Sequence, residues 1–156
     1  MARAALDYLN DPKYVVQVNP LPAGTHWGPE GAPMVISTPR EIYDLMASVP
    51  EGQFMLADDL RDYLAKKHNG FVTCPLTTGI FMNIASKAAE ELREQTGEVG
   101  MAWWRTVKKA GALNEKAPGG PENQKKLLEA EGHKLLPKGK KNFKLADLER
   151  NRFILS

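Results

Sequence analysis

Two adjacent tryptophans, Trp103 and Trp104, are followed by Arg105 and by Lys108 and Lys109. An indole ring can stack on a nucleobase and basic side chains attract phosphates, so this group could bind a nucleic acid. If the segment is extended, adjacent side chains point to opposite faces, and one indole joins the core while the other lines a pocket. A purely structural role for the tryptophans is the alternative interpretation.

The basic residues are concentrated in one part of the chain. Residues 1–98 contain 8 Lys and Arg against 13 Asp and Glu, whereas residues 99–144 contain 11 against 4. The net charge of the whole chain is only +2. A basic segment attached to an acidic one creates a one-sided field that favours a polyanion. Lysines that merely solvate a surface would produce the same counts, so that alternative stays open.

The single cysteine, Cys74, is the candidate nucleophile of an enzyme. It precedes a predicted helix, and a helix amino terminus can activate a thiol. No histidine is near it in sequence, and lone cysteines are often simply buried. The three histidines lack the spacing of metal ligands, and no phosphate loop, nucleotide-binding fingerprint or serine nucleophile motif is present. We therefore expect no metal and no cofactor.

Composition indicates a globular protein. A chain of 156 residues with 42% hydrophobic and 26% charged residues can bury a core and is not typical of disorder. No apolar run approaches the roughly 20 residues of a membrane-spanning helix, so no membrane partner is expected. Asp7 and Asp11 lie where a signal peptide would be apolar. Together with the lone cysteine, this predicts a cytoplasmic location.

The order of elements predicts a mainly α fold with a small β component (α+β), namely a winged helix-turn-helix domain over residues 38–156. Residues 1–37 are predicted to form an arm with a short strand at Tyr14–Val18. The arm should be irregular over residues 19–33, which contain four prolines and three glycines.

Helix signals recur through the predicted domain. Thr38 to Glu41 form a capping box that starts a first helix, in which Glu41 can reach back to the cap. Further helices are predicted over about 57–67, 76–95 and 121–131, and a basic hairpin, the wing, over 133–148. The third helix should bury one apolar stripe. Its predicted members are Ile80, Phe81, Ile84, Ala85, Ala88 and Leu92.

Several motifs, in this order, resemble the C-terminal domain of the alkylguanine-DNA alkyltransferases. They are VPEGQF, LRDYLA, TGIFMNIAS, WWRTVKKAGALN, PGG and LLEAEGH. The resemblance covers roughly residues 38–136, and its specificity lies in the order and spacing of the motifs. It implies that the third helix is the recognition helix of a DNA-binding domain.

The departures from the family decide the expected activity. Residues 102–106 stand where the family has Pro-Cys-His-Arg-Val, so Trp103 replaces the acceptor cysteine and Trp104 the activating histidine. An indole cannot act as the thiolate nucleophile, so we expect no alkyl transfer. The substitution is similar to that in alkyltransferase-like proteins, which bind alkylated guanine in DNA without repairing it and flag it for other repair factors. The resemblance implies double-stranded DNA, plain or alkylated, and nucleotide excision repair proteins as partners.

Two sets of site residues follow. The predicted lesion pocket contains Trp103, Trp104, Glu131, Gly119 and Gly120. The predicted DNA contacts are Thr77, Thr78, Asn83, Ser86, Lys87, Arg105, Lys108, Lys109, Lys138, Lys140 and Lys141.

Two features of the family are missing, which keeps other functions open. The recognition-helix arginine, which fills the gap left by a flipped base, aligns with Thr78 or Gly79, and a family tyrosine aligns with Ala57. One alternative is a thiol enzyme or alkyl acceptor that uses Cys74. The other is a protein-interaction module that has kept the fold and lost DNA binding.

Overall fold

The computed structural model describes residues 4–156, so the first three residues of the predicted arm lie outside the described part. Within it, helices and short strands follow one another along the chain, and two 3₁₀ turns lie at Trp103–Arg105 and Lys109–Gly111. The helices are α1 (Ala5–Leu9), α2 (Pro39–Ala47), α3 (Ala57–Lys67), α4 (Pro75–Thr96) and α5 (Gly120–Ala130). The strands are β1 (Gln17–Pro20), β2 (Pro33–Ile36), β3 (Met55–Leu56), β4 (Val72–Thr73), β5 (Thr106–Val107), β6 (Leu135–Lys138) and β7 (Asn142–Leu145).

Helix α2 begins where the capping signal predicted. The Thr38 hydroxyl accepts a hydrogen bond from the backbone N–H of Glu41 at 3.1 Å, and Pro39 occupies the first helical position. The Glu41 carboxylate does not bind the backbone N–H of Thr38, which corrects the prediction that it reaches back to the cap. It is bound instead by Ser37, Lys67 and His68, because α3 ends beside it and supplies basic donors. Burial raises the pKa of Glu41, but these hydrogen bonds outweigh it and hold the pKa below its usual value.

Helix α4 buries most of the predicted stripe. Phe81, Ala85 and Ala88 are buried, and Ile84 and Leu92 pack against the core as partly buried side chains. Ile80 is 55% exposed, which corrects its assignment to the core. The helix packs against α1 and α2, and Ile80 lies outside the face that these contacts bury. The side chains that join the core beside the expected ones are Thr78, Met82, Ser86 and Ala89.

The predicted hairpin is confirmed. Strands β6 and β7 pair antiparallel from Leu135 opposite Leu145 to Lys138 opposite Asn142, and residues 139–141 form the connection. Helices α3 and α4 followed by this hairpin have the element order of a winged helix-turn-helix. The prediction of a mainly α fold with a small β component is also confirmed.

The amino-terminal part contains elements that the sequence analysis missed or displaced. Helix α1 was not predicted; its Ala5 and Leu9 are buried in the main core. The first strand lies at Gln17–Pro20 rather than at Tyr14–Val18, because its position is set by antiparallel pairing with β2. Strand β2 in turn pairs parallel with β4. The division of the chain at residue 37 stays a prediction, although these contacts tie both sides together.

None of the helices within residues 4–156 combines the length and apolarity that crossing a membrane requires.

Candidate nucleic-acid interface

An open cavity of about 790 Å³ lies beside the amino-terminal half of α4. The start of α3, the loop over residues 108–116 and the hairpin complete its walls. Its volume falls within the roughly 300–1,000 Å³ typical of ligand pockets. The fold thus places the predicted recognition helix and the predicted wing on the walls of one cavity.

The rim of the cavity is basic. Among residues 4–156, five basic and two acidic side chains line it, and Arg61 forms an ion pair with one of the acidic ones, Asp58. The excess of positive charge makes the surface attractive to an anion. The basic residues are Arg61, Lys108, Lys109, Lys116 and Lys138, and the acidic ones are Asp58 and Glu115.

A tight turn places two of these lysines on the rim. The Lys108 N–H donates to the Ala112 carbonyl oxygen at 2.8 Å, and Gly111 has a φ of 81°. A side chain at this positive φ would be strained, and a Cβ would also lie 3.2 Å from the Cβ of Leu145, so the turn favours glycine. Lys108 and Lys109 are consequently exposed at the cavity, and their role as DNA contacts stays a prediction.

The two tryptophans do not line this cavity, which corrects their assignment to a pocket wall. Residues 103–105 form a 3₁₀ turn rather than an extended segment, so both indoles turn inward and pack edge to face with ring centroids 5.9 Å apart. Trp103 is 2% exposed and Trp104 is 7% exposed. Their ring N–H groups donate to Glu90 and Glu131, each at 2.8 Å. Both rings therefore have a structural role, the alternative that the sequence left open.

Arg105, a predicted phosphate contact, is hydrogen-bonded within the protein. Its guanidinium donates to both Glu131 oxygens, at 2.9 to 3.1 Å, and to the Val49 carbonyl oxygen at 3.0 Å. Glu131 accepts from Trp104 and from the Gly52 N–H as well. Burial raises the pKa of Glu131, but hydrogen bonds from Arg105, Gly52 and Trp104 together lower it by more. The pKa of this carboxyl is therefore below its usual value. This carboxylate is engaged by the core and does not face the cavity.

The predicted contacts on α4 divide between the cavity and the core. Asn83 lines the cavity and accepts a hydrogen bond from the Asn114 side chain. Thr78 also lines it, although its hydroxyl is buried and donates to the Cys74 carbonyl oxygen. Ser86 is buried and donates to the Met82 carbonyl oxygen, so its assignment as a DNA contact is wrong.

The remaining predicted residues lie around the cavity or away from it. Lys138 lines the cavity, while Lys140 and Lys141 are exposed in the connection of the hairpin. Thr77 and the exposed Lys87 lie on α4 outside the lining. Gly119 and Gly120, which have φ values of 77°, start α5 and do not line the cavity, which corrects their placement in a lesion pocket.

Cys74 is buried and lies outside the cavity lining. Its backbone carbonyl oxygen accepts from the Thr78 N–H at the start of α4. Burial away from the cavity favours the packing role for this residue. Within residues 4–156, no three His, Cys, Asp or Glu side chains form a group that could hold a metal ion.

Asn114 is a cavity residue that sequence reasoning missed, although it closes the WWRTVKKAGALN motif. Its backbone N–H donates to the Gln124 side chain at 3.1 Å, and Gln124 donates to the Trp104 carbonyl oxygen. The available signal was its position directly after the apolar residues Ala112 and Leu113, which would place a polar side chain at the edge of the core. Other residues missed are Arg61, Leu76, Ile80, Lys116 and Asn142.

Comparison with solved structures finds the alkyltransferase-like protein Atl1 of S. pombe. One structure is a complex with damaged DNA that contains O6-carboxymethylguanine; it matches with 20% identity and a TM-score of 0.48. The other, of S. pombe ATL with DNA, matches with 18% identity and a TM-score of 0.48. Each match covers 74% of this chain and 93% of the other. This is the kind of protein that the sequence motifs resemble. No protein-family model matches the chain, and no curated protein matches it significantly.

Proposed function

We propose that the protein binds double-stranded DNA through the cavity and its basic rim, and that it transfers no alkyl group. The observation that carries this proposal is the placement of Lys108, Lys109 and Lys138 around one concavity beside α4. Exposed lysines so arranged can contact the phosphates of a duplex that lies across the opening, and such contacts supply most of the affinity of non-specific binding.

The absence of alkyl transfer is supported by the chemistry of residues 103 and 104. An indole offers no thiolate, and both rings are fixed in the core by hydrogen bonds to Glu90 and Glu131. The one cysteine of the chain, Cys74, is buried outside the cavity lining. A methyl or larger alkyl group on a base in the cavity would therefore meet no nucleophile of that kind.

Recognition of alkylated guanine is part of the proposal and is supported by the resemblance of the sequence motifs. The cavity has the volume of a small-molecule pocket and carries amide groups from Asn83, Asn114 and Asn142, which can hydrogen-bond to base edges. A signalling role towards nucleotide excision repair proteins extends the same proposal and has the same support. The proposed cytoplasmic location rests instead on the lone cysteine and on Asp7 and Asp11.

The deciding experiment is a titration of plain and O6-alkylguanine duplexes with the protein at several salt concentrations. We expect affinity to fall steeply with salt, tighter binding of the alkylated duplex, and weaker binding by the variant Lys108→Ala/Lys109→Ala. Lys126→Ala, which changes an exposed lysine of α5 outside the cavity, is the control for the loss of a surface lysine. Absence of binding would favour the protein-interaction alternative.

A second measurement separates binding from an alkyl-acceptor reaction. The intact mass of the protein should stay unchanged after incubation with the alkylated duplex. A gain of one alkyl group that disappears in Cys74→Ser would establish the thiol chemistry instead.

A further inference from the structure

Two large apolar side chains of α4 project into solvent at the mouth of the cavity. Leu76 is 66% exposed and Ile80 is 55% exposed, and both line the cavity. They are four residues apart, so they lie next to each other on one face of the helix. Single exposed leucines are ordinary on protein surfaces, but here two neighbours stand together at the opening.

Basic side chains surround this apolar pair. Lys108, Lys109 and Lys138 line the same cavity, and Gly79, between the two apolar residues, has open space where a side chain would be. A ligand that covers this surface must offer negative charge at its edge and apolar faces at its centre. Duplex DNA does so when a base step opens, because phosphates flank the stacked faces of the bases.

We propose that Leu76 and Ile80 form an apolar wedge that enters the base stack when the protein binds DNA. The wedge unstacks the step beside the cavity and fills the space that a base leaves when it enters the cavity. Leucine and isoleucine are among the side chains that kink duplexes in this way. This inference rests on the proposed DNA binding.

The positions that align with the family's arginine cannot fill that space themselves. Thr78 is 2% exposed and its hydroxyl is bonded to the Cys74 carbonyl oxygen at 2.7 Å. Gly79 has no side chain. Their neighbours Leu76 and Ile80 are the side chains that reach outward from this turn of the helix, so the filling role passes to them.

The test uses a duplex with the fluorescent base 2-aminopurine, whose emission rises on unstacking, next to the alkylated guanine. We expect the native protein to increase the emission and Leu76→Ala/Ile80→Ala to lose the increase. That variant should bind roughly tenfold more weakly, the change expected when one large aliphatic side chain loses its burial. The slope of affinity with salt should not change, because no phosphate contact is removed.

Two controls make the result specific. Val99→Ala/Ile154→Ala removes two exposed apolar side chains outside the cavity and should leave both affinity and emission unchanged. Leu76→Met/Ile80→Met keeps a long apolar side chain at each position and should restore the emission. Circular dichroism should show the same helix content in all variants, because the changed side chains are exposed.

The possible failures are distinguishable. If the native protein binds no duplex, the proposed function fails and the wedge fails with it. If it binds but the emission stays flat, or the alanine variant binds as tightly, the wedge alone is overturned. If sedimentation shows a self-associated protein that the alanine variant dissociates without loss of DNA affinity, the apolar pair is a protein contact and the wedge is again overturned.

Discussion

At the scale of single residues, Glu131 organises the segment that first suggested a binding site. Its carboxylate accepts hydrogen bonds from the Trp104 indole, the Arg105 guanidinium and the Gly52 backbone N–H, and its side chain is only 8% exposed. A buried ion pair is retained when further hydrogen bonds satisfy both partners. Trp104 and Arg105, which are adjacent in the sequence, thus donate to the same buried carboxylate.

Glu131→Ala should destabilise the protein by about 1.5–3 kcal/mol, because the half-buried Arg105 guanidinium and the Trp104 indole N–H would lose their charged acceptor. Urea denaturation measures the free energy of unfolding. Glu129→Ala is the matched control: this neighbour on α5 pairs with Lys125 at the surface, and its loss should cost about 0.3–0.5 kcal/mol. Equal losses in the two variants would contradict the central role of Glu131.

The same carboxylate should make stability depend on pH. The pKa of Glu131 is lower in the folded protein than its ordinary value of 4.5. Its contribution is therefore fully present above pH 4.5 and is lost as the pH falls below 4.5 and through the folded pKa. Glu131→Gln should show a smaller loss of stability than the native protein over that acidic range. Parallel curves of unfolding free energy against pH would contradict this.

Trp103→Phe distinguishes a core indole from a pocket wall. The change removes buried volume and the hydrogen bond to Glu90, so a loss of about 1–3 kcal/mol is expected in denaturation. Duplex affinity, measured where the variant is fully folded, should equal that of the native protein, because the ring lies outside the cavity lining. A tenfold weaker complex at unchanged fold would restore the pocket role.

At the scale of elements, helix α4 has two different halves. Its amino-terminal half lines the cavity, whereas acidic residues of its other half hold neighbouring elements. Glu90 accepts from the Trp103 indole, and Glu91 accepts from the backbone N–H groups of Ala5 and Leu6 at 3.0 and 2.9 Å. Carboxylates that would repel phosphates are therefore used in packing, away from the proposed DNA surface.

The hairpin gives a prediction at this scale. If Lys140 and Lys141 each contact one phosphate, Lys140→Ala/Lys141→Ala should reduce the log–log slope of affinity against salt by about 1.8, or 0.9 for each contact. Filter binding over a range of salt concentrations measures the slope, with Lys126→Ala as the control. An unchanged slope would show that DNA does not reach the tip and is held by the cavity rim alone.

At the scale of the whole molecule, residues 4–37 and the helices that follow share one core. Leu9 is buried with α4 residues, and Val35 of β2 is fully buried. Strand β2 pairs with β1 on one side and with β4, which directly precedes α4, on the other. The amino-terminal part therefore supports the helix that lines the cavity.

Leu9→Ala should cost about 2–5 kcal/mol, the range for truncation of a buried leucine. Thermal or urea unfolding should still show one transition, because α1 and α4 unfold together. Val15→Ala, at an exposed position of the same region, should change stability by less than about 0.5 kcal/mol. Two separate transitions, or a loss as small as that of the control, would show that the amino-terminal part is an independent arm.

The sequence by itself determined the elements whose causes are local. The Thr38 cap, Pro39 and the turn at residues 139–141 act within a few residues, so α2 and the hairpin were predictable. The basic segment and the predicted hairpin also pointed to Lys108, Lys109 and Lys138, which line the cavity. Only the tertiary structure decided that Trp103 is buried and that Ile80 is exposed. Which face of a segment is buried depends on partners distant in the chain. The Trp103 indole donates to Glu90 of α4, and α1 and α2 pack against a face of α4 that does not include Ile80.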